Sequence, residues 1–166
     1  GALDVDAPVS RYLPDFRGGG KDAITLRHLL THTAGLQQWV PTYYHASAAD
    51  GAYAYVRDLP LGWPVGEGRH YSDLGFMILG RVVERVADRP LDEFLAEELY
   101  GPLRLTDTGF RRRAPGAGAS DAPDVPFAAT AHGSPYEHRM VHDTAFGYLI
   151  RGDPNAWDGW RRHTLV

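Results

Sequence analysis

Residues 70–86 read HYSDLGFMILGRVVERV. Within this stretch Leu74, Met77, Ile78, Val82 and Val86 fall on one stripe at helical spacing, with Glu84 and Arg85 turned outward. Ser72 or Asp73 supplies the N-cap, so the spacing predicts an amphipathic helix over 72–87. Tyr71 stands just before the first turn. A phenol at that place is either packing or a proton carrier whose charged form the helix end stabilises, and its neighbours must decide between the two.

Working outward, Thr25 caps a helix over 26–33, in which Leu26, Leu29 and Leu30 share a face and Gly35 offers a left-handed stop. Residues 47–58 form a weaker helical candidate, and the Pro and Gly content of 60–68 makes a loop. Asp88-Arg89-Pro90 breaks the chain after the long helix. A second helix over 91–99 then places Leu91, Phe94, Leu95 and Leu99 together, and Gly101-Pro102 ends it. Pro8 and Pro14 make residues 3–14 an extended or turn-rich lead-in. Residues 111–126 read as an irregular loop, the remainder lacks periodicity, and no internal repeat is present.

The chain has 166 residues, 43% hydrophobic and 23% charged, which suits one globular domain. Its formal charge of -4, from 17 basic and 21 acidic residues mixed along the chain, offers no field for nucleic acid. No apolar run reaches membrane-spanning length. The absence of cysteine excludes disulfides and thiolate chemistry and leaves the compartment open. The sequence opens at Gly1 without an initiator Met or signal sequence and stops at Val166 within RRHTLV, which reads like the start of a strand. These features lead to the expectation of an internal piece of a longer protein.

Three hydrolase signatures are missing. None of Ser10, Ser47, Ser72, Ser120 and Ser134 sits in G-x-S-x-G. In an S-x-x-K dyad the lysine lies one helical turn after the serine and takes its proton, but the single lysine is Lys21 and position 18 is Gly. No H-E-x-x-H is present. His28 and His32, spaced i, i+4, share a helix face in principle, but two ligands make no metal site and hydrogen bonding is the expected role. The same holds for His132, His138 and His142 with Glu137, so no metal or cofactor is expected. Asp92, Glu93, Glu97 and Glu98 read as a solvated helix face, and Trp157 and Trp160 as core or strand anchors.

Four ordered segments carry a resemblance: ITLRHLLTHTAGL at 24–36, PVGEGRHYSD at 64–73, LGRVVE at 79–84 and PLRLTDT at 102–108. Together they resemble the serine beta-lactamase-related family, which includes class C beta-lactamases, D-alanyl-D-alanine carboxypeptidases and related esterases. The resemblance is clear over residues 1–110 and weaker over 127–166, where SPYEHRMV at 134–141 is similar to a stretch in some bacterial members. It implies an α+β fold of beta-lactamase/transpeptidase type, of which residues 1–166 are a partial domain: the mostly helical central portion, with most of the sheet outside the chain.

In that family an S-x-x-K serine attacks a carbonyl, the Tyr of a Y-x-N motif shuttles protons, and a later strand motif with Lys or His completes the cleft. Only the tyrosine element has a counterpart here, at Tyr71-Ser72-Asp73, which makes Tyr71 and Asp73 the candidate catalytic residues. A phenol with a solution pKa of about 10 needs a nearby cation and the helix end to act as a base at neutral pH. Asp73 departs from the family's amide: an Asn donates to a substrate carbonyl, whereas an ionised Asp only accepts. The resemblance places the dyad before Gly1 and the strand motif after Val166. It implies hydrolysis of a beta-lactam, a D-amino-acid peptide or an ester through an acyl-enzyme, with this chain inactive alone. The partner is then a small-molecule or peptide substrate, in the cell envelope or secreted; no oligomeric state follows. The alternative is a non-catalytic relative that binds a ligand or partner through the same cleft.

Overall fold

The structure is a computed structural model that describes residues 2–110. The lead-in doubles back on itself. Pro8 bridges Thr25 in antiparallel sense, with Val9 N–H donating to the Ile24 carbonyl at 2.8 Å and Arg27 N–H to the Val5 carbonyl at 2.7 Å. Single 3-10 turns at Val9–Arg11 and Lys21–Ala23 let this segment drop Val9, Phe16 and Ile24 into the core.

Helix α1 spans Leu26–Leu30 and opens with a capping box in which Thr25 Oγ1 accepts from His28 N–H and His28 Nδ1 accepts from Thr25 N–H. It stops three residues short of the expected 33. Thr31 leaves helical geometry and turns its hydroxyl back to the Arg27 carbonyl at 2.8 Å, and His32 takes φ 60°, so the chain reverses before Gly35. A short α2 covers Thr42–His45, and α3, Ala49–Asp58, matches the expected helix over 47–58 within two residues. Tyr53 and Arg57 of α3 both reach Asp15, at 2.9 and 2.8 Å, which ties this helix to the lead-in.

The long helix α4 runs Asp73–Ala87 and packs against α1 and α3. Ser72 is its N-cap, accepting from Gly75 N–H, and Asp88 closes it in a left-handed conformation at φ 54°. Leu74, Ile78 and Val82 are buried, each contributing about 1.5–3 kcal/mol by leaving water. Met77 and Val86 were expected on the same stripe but are exposed: Gly75 takes part of the buried face, packed against Leu29, and narrows it. Glu84, expected to face outward, is half-buried and accepts from Leu91 N–H at 3.1 Å, a donor that has no partner inside its own helix.

Helix α5, Leu91–Leu95, also packs on α4 and continues without a break into a π-helical turn, Ala96–Tyr100. The expected helix over 91–99 is therefore present, with its second half in a wider hydrogen-bond register shown by Gly101 N–H donating to the Ala96 carbonyl at 2.9 Å. Leu99 is left exposed by that register. Glu97 and Glu98 are not simply solvated, since Arg89 binds both.

The described residues are thus mostly helical, with no strand among them and one isolated bridge. No helix among them is long and apolar enough to cross a membrane. His132, Ser134, Glu137, His138, His142, Trp157 and Trp160 lie outside the described residues.

Candidate active site

The N-terminal end of α4 is stitched to the 32–38 loop by backbone and side-chain hydrogen bonds. His70 N–H donates to the His32 carbonyl at 2.8 Å, and Ser72 N–H donates to His32 Nδ1 at 3.0 Å. The Ser72 hydroxyl donates to the Gln37 carbonyl at 2.7 Å, and Asp73 N–H to the Gln38 carbonyl at 2.9 Å. The loop itself is pinned from the other side, with Gly62 and Trp63 N–H on the Gly35 carbonyl and Gly66 N–H on the Thr33 carbonyl. Gly35, at φ 72°, passes so close to the Trp63 carbonyl that a Cβ would lie 2.1 Å from its oxygen. The Trp63 indole then stacks on the His70 imidazole, with centroids 3.8 Å apart and planes 8° apart.

Tyr71 is the residue this frame presents. It is 64% exposed although both flanking amides are tied down, and among the described residues its hydroxyl has no hydrogen-bond partner. It occupies the position before the N-cap, and Phe76 occupies the fourth helical position, the pair that forms a hydrophobic staple. Here His32 lies against both rings, at 4.5 Å from Tyr71 and 5.4 Å from Phe76 between centroids. The phenol therefore stands in the open beside the positive end of a fifteen-residue helix.

Asp73 is the first residue of α4 and is exposed, two positions from Tyr71 at the same helix end. Its carboxylate suits the helix N-terminus, a placement worth about 0.3–1 kcal/mol. His28 and His32 do not share a helix face: His28 is bound into the capping box, and His32 lies past the end of α1 with its Nδ1 taken by Ser72. Among the described residues no three His, Asp or Glu side chains converge in a metal-binding group. His32, Gln37 and Gln38 were not singled out as site-builders from the sequence, because their contacts to residues 70–73 cross more than thirty positions and leave no local pattern. An apolar groove of about 270 Å³ between α3 and α4, lined by Tyr53, Met77 and Arg81, is a separate feature that reaches this end only through Phe76.

Comparison with known proteins accords with the geometry. An N-acetylmuramyl-L-alanine amidase of Bacillus subtilis is 37% identical over 121 residues, covering 65% of this chain and 27% of the amidase. Esterase EstB of Burkholderia gladioli is 36% identical over 129 residues, covering 66% of this chain and 33% of the esterase. This chain thus spans about a third or less of the length of these relatives. Among solved structures, a class C beta-lactamase aligns with a TM-score of 0.55 at 26% identity, over 63% of this chain and 28% of the enzyme. A family profile described as Beta-lactamase matches residues 1–161. With a profile match over nearly all of the sequence and hydrolases as its relatives, this chain belongs to the beta-lactamase family.

Proposed function

We propose that this chain supplies the proton-shuttling tyrosine of a serine hydrolase that works through an acyl-enzyme on an ester, D-amino-acid peptide or beta-lactam carbonyl. The observation that carries the reading is the presentation of Tyr71: an exposed phenol at a helix N-terminus, with both neighbouring amides fixed from a distant loop. In the proposed cycle Tyr71, as phenolate, takes the proton from the attacking serine and returns it to the leaving group. The helix end and a neighbouring ammonium stabilise the anion. That ammonium and the serine come from outside these 166 residues, because the single lysine here has glycine three positions before it. Lys21 is itself buried, and burial pushes its ammonium below the ordinary lysine range, with Asp58 opposing the shift.

Asp73 offers a substrate an acceptor only, which weighs against donation to a substrate amide carbonyl as in a beta-lactam and leaves ester or peptide hydrolysis open. The test is to incubate the full-length gene product and the 166-residue chain with p-nitrophenyl esters, a chromogenic cephalosporin and a fluorescent penicillin, mapping any acylated serine by mass spectrometry. Turnover by the full-length protein, with the label on an S-x-x-K serine outside residues 1–166, is expected. A stable label on any serine within 1–166 contradicts the proposal. A full-length protein with no S-x-x-K also contradicts it and leaves a binding relative of the same fold.

A further inference from the structure

The backbone N–H groups of the two residues that flank Tyr71 are both bound by one residue far away in sequence. His32 accepts His70 N–H on its carbonyl at 2.8 Å and Ser72 N–H on its Nδ1 at 3.0 Å, and its ring lies 4.5 Å from the Tyr71 ring, tilted by 33°. The residue is 8% exposed and sits at φ 60°, a left-handed conformation uncommon for a non-glycine residue. Accepting from Ser72 requires Nδ1 to be unprotonated, so the imidazole is neutral with its proton on Nε2. We infer that His32 is the positioning residue of Tyr71: its carbonyl holds the N–H of His70, the residue before the phenol, its Nδ1 holds the peptide that follows it, and its ring limits the phenol's rotation.

This inference rests on the proposed role of Tyr71 and adds the residue that aims it. Ordinary packing would need only a ring of the right size at position 32. The structure shows instead a carbonyl, a ring nitrogen and a ring face of one residue converging on three consecutive residues, with the middle one exposed. An error of about 1 Å in a group that moves a proton costs on the order of a hundredfold in rate while leaving substrate binding intact. Loss of the Nδ1 acceptor releases the peptide that follows Tyr71 and is therefore expected to act on kcat.

The test uses two substitutions. His32→Ala removes the acceptor and the ring; His32→Asn removes the ring but places Oδ1 where Nδ1 was, and Asn tolerates positive φ. In amide hydrogen exchange, Ser72 N–H should be protected in the wild-type chain, exchange about tenfold faster or more in His32→Ala, and return to within about threefold of wild type in His32→Asn. His70 N–H, held by the backbone carbonyl, should stay protected in both. In the full-length hydrolase His32→Ala should lower kcat by about 10- to 100-fold with KM within about twofold, and His32→Asn should recover most of the loss.

A wild-type Ser72 amide that exchanges freely overturns the inference, as does a folded His32→Ala variant with Ser72 deprotected and kcat unchanged. If His32→Ala does not fold, the imidazole nitrogen shifts of the wild-type chain and the kcat of His32→Asn decide. A protonated Nδ1, or an Asn variant as slow as a variant lacking the Tyr71 hydroxyl, counts against the inference. Undiminished turnover in Tyr71→Phe would end the functional reading instead, and the exchange data would still decide whether His32 holds Tyr71.

Discussion

Gly35→Ala probes the crossing on which the whole site is built. Gly35 sits at φ 72°, and an added Cβ would lie 2.1 Å from the Trp63 carbonyl oxygen and 3.0 Å from its carbon. Both are backbone atoms, so no side-chain rotation relieves the contact. The left-handed conformation costs a non-glycine residue about 1–2 kcal/mol. Moving the 62–63 segment away stretches the hydrogen bonds from Gly62 and Trp63 N–H to the Gly35 carbonyl, now 2.8 and 3.2 Å, at about 1 kcal/mol each. The sum is about 3–4 kcal/mol, which for a domain of this size lowers Tm by roughly 10–25 °C. Thermal and urea unfolding followed by circular dichroism measure the loss. Tryptophan fluorescence should shift as well, because the Trp63–His70 stack depends on the same crossing. A Tm within about 3 °C of wild type would refute the reasoning, since it would mean that the two loops separate at little cost.

Ser72→Ala removes both the α4 cap and the donor to the partly buried Gln37 carbonyl, and should destabilise by about 1–3 kcal/mol in urea unfolding, with Ser72→Thr retaining part of the loss. Burial alone would raise the Asp15 pKa, but the hydrogen bonds from Arg57 and Tyr53 outweigh it and leave the carboxyl below its ordinary value. Such a group contributes stability above the unfolded pKa of about 3.9 and loses it as pH falls through the lower folded value. The difference in urea midpoint between wild type and Asp15→Asn should therefore be present at pH 7 and shrink toward zero at about pH 2–3. A difference that stays constant across this range would show that the carboxylate charge is not what holds α3 to the lead-in.

The helices were legible because their periodicity is local. Leu74, Ile78 and Val82 mark the buried stripe of α4 in sequence and in structure alike. Met77 and Val86 misled because hydrophobic spacing cannot show that Gly75 lets α1 approach closely and takes up part of the face. Gly35 announced a chain reversal, but the earlier exit of α1 at Leu30 depends on the Thr31 hydroxyl competing for the Arg27 carbonyl and on a histidine in a left-handed turn. The change of register at Ala96 has no marker in a run of good helix formers. At the candidate site, Tyr71 and Asp73 were singled out through resemblance to family motifs. The residues that hold them, His32, Gln37 and Gln38, act through backbone groups and one ring nitrogen, which composition and spacing do not record.

The central claim is that Tyr71 is held out for chemistry and not for packing, and Tyr71→Phe in the full-length protein tests it most directly. The side chain is 64% exposed, and its hydroxyl makes no hydrogen bond among the described residues, so removing the oxygen should change stability by less than about 0.5 kcal/mol. In the proposed role the same change removes a proton carrier, worth about 10²–10⁴ in rate. The expected result is a kcat lower by that factor at an unchanged Tm. A variant that retains full turnover, or one that loses turnover only in proportion to a large fall in Tm, would contradict the account.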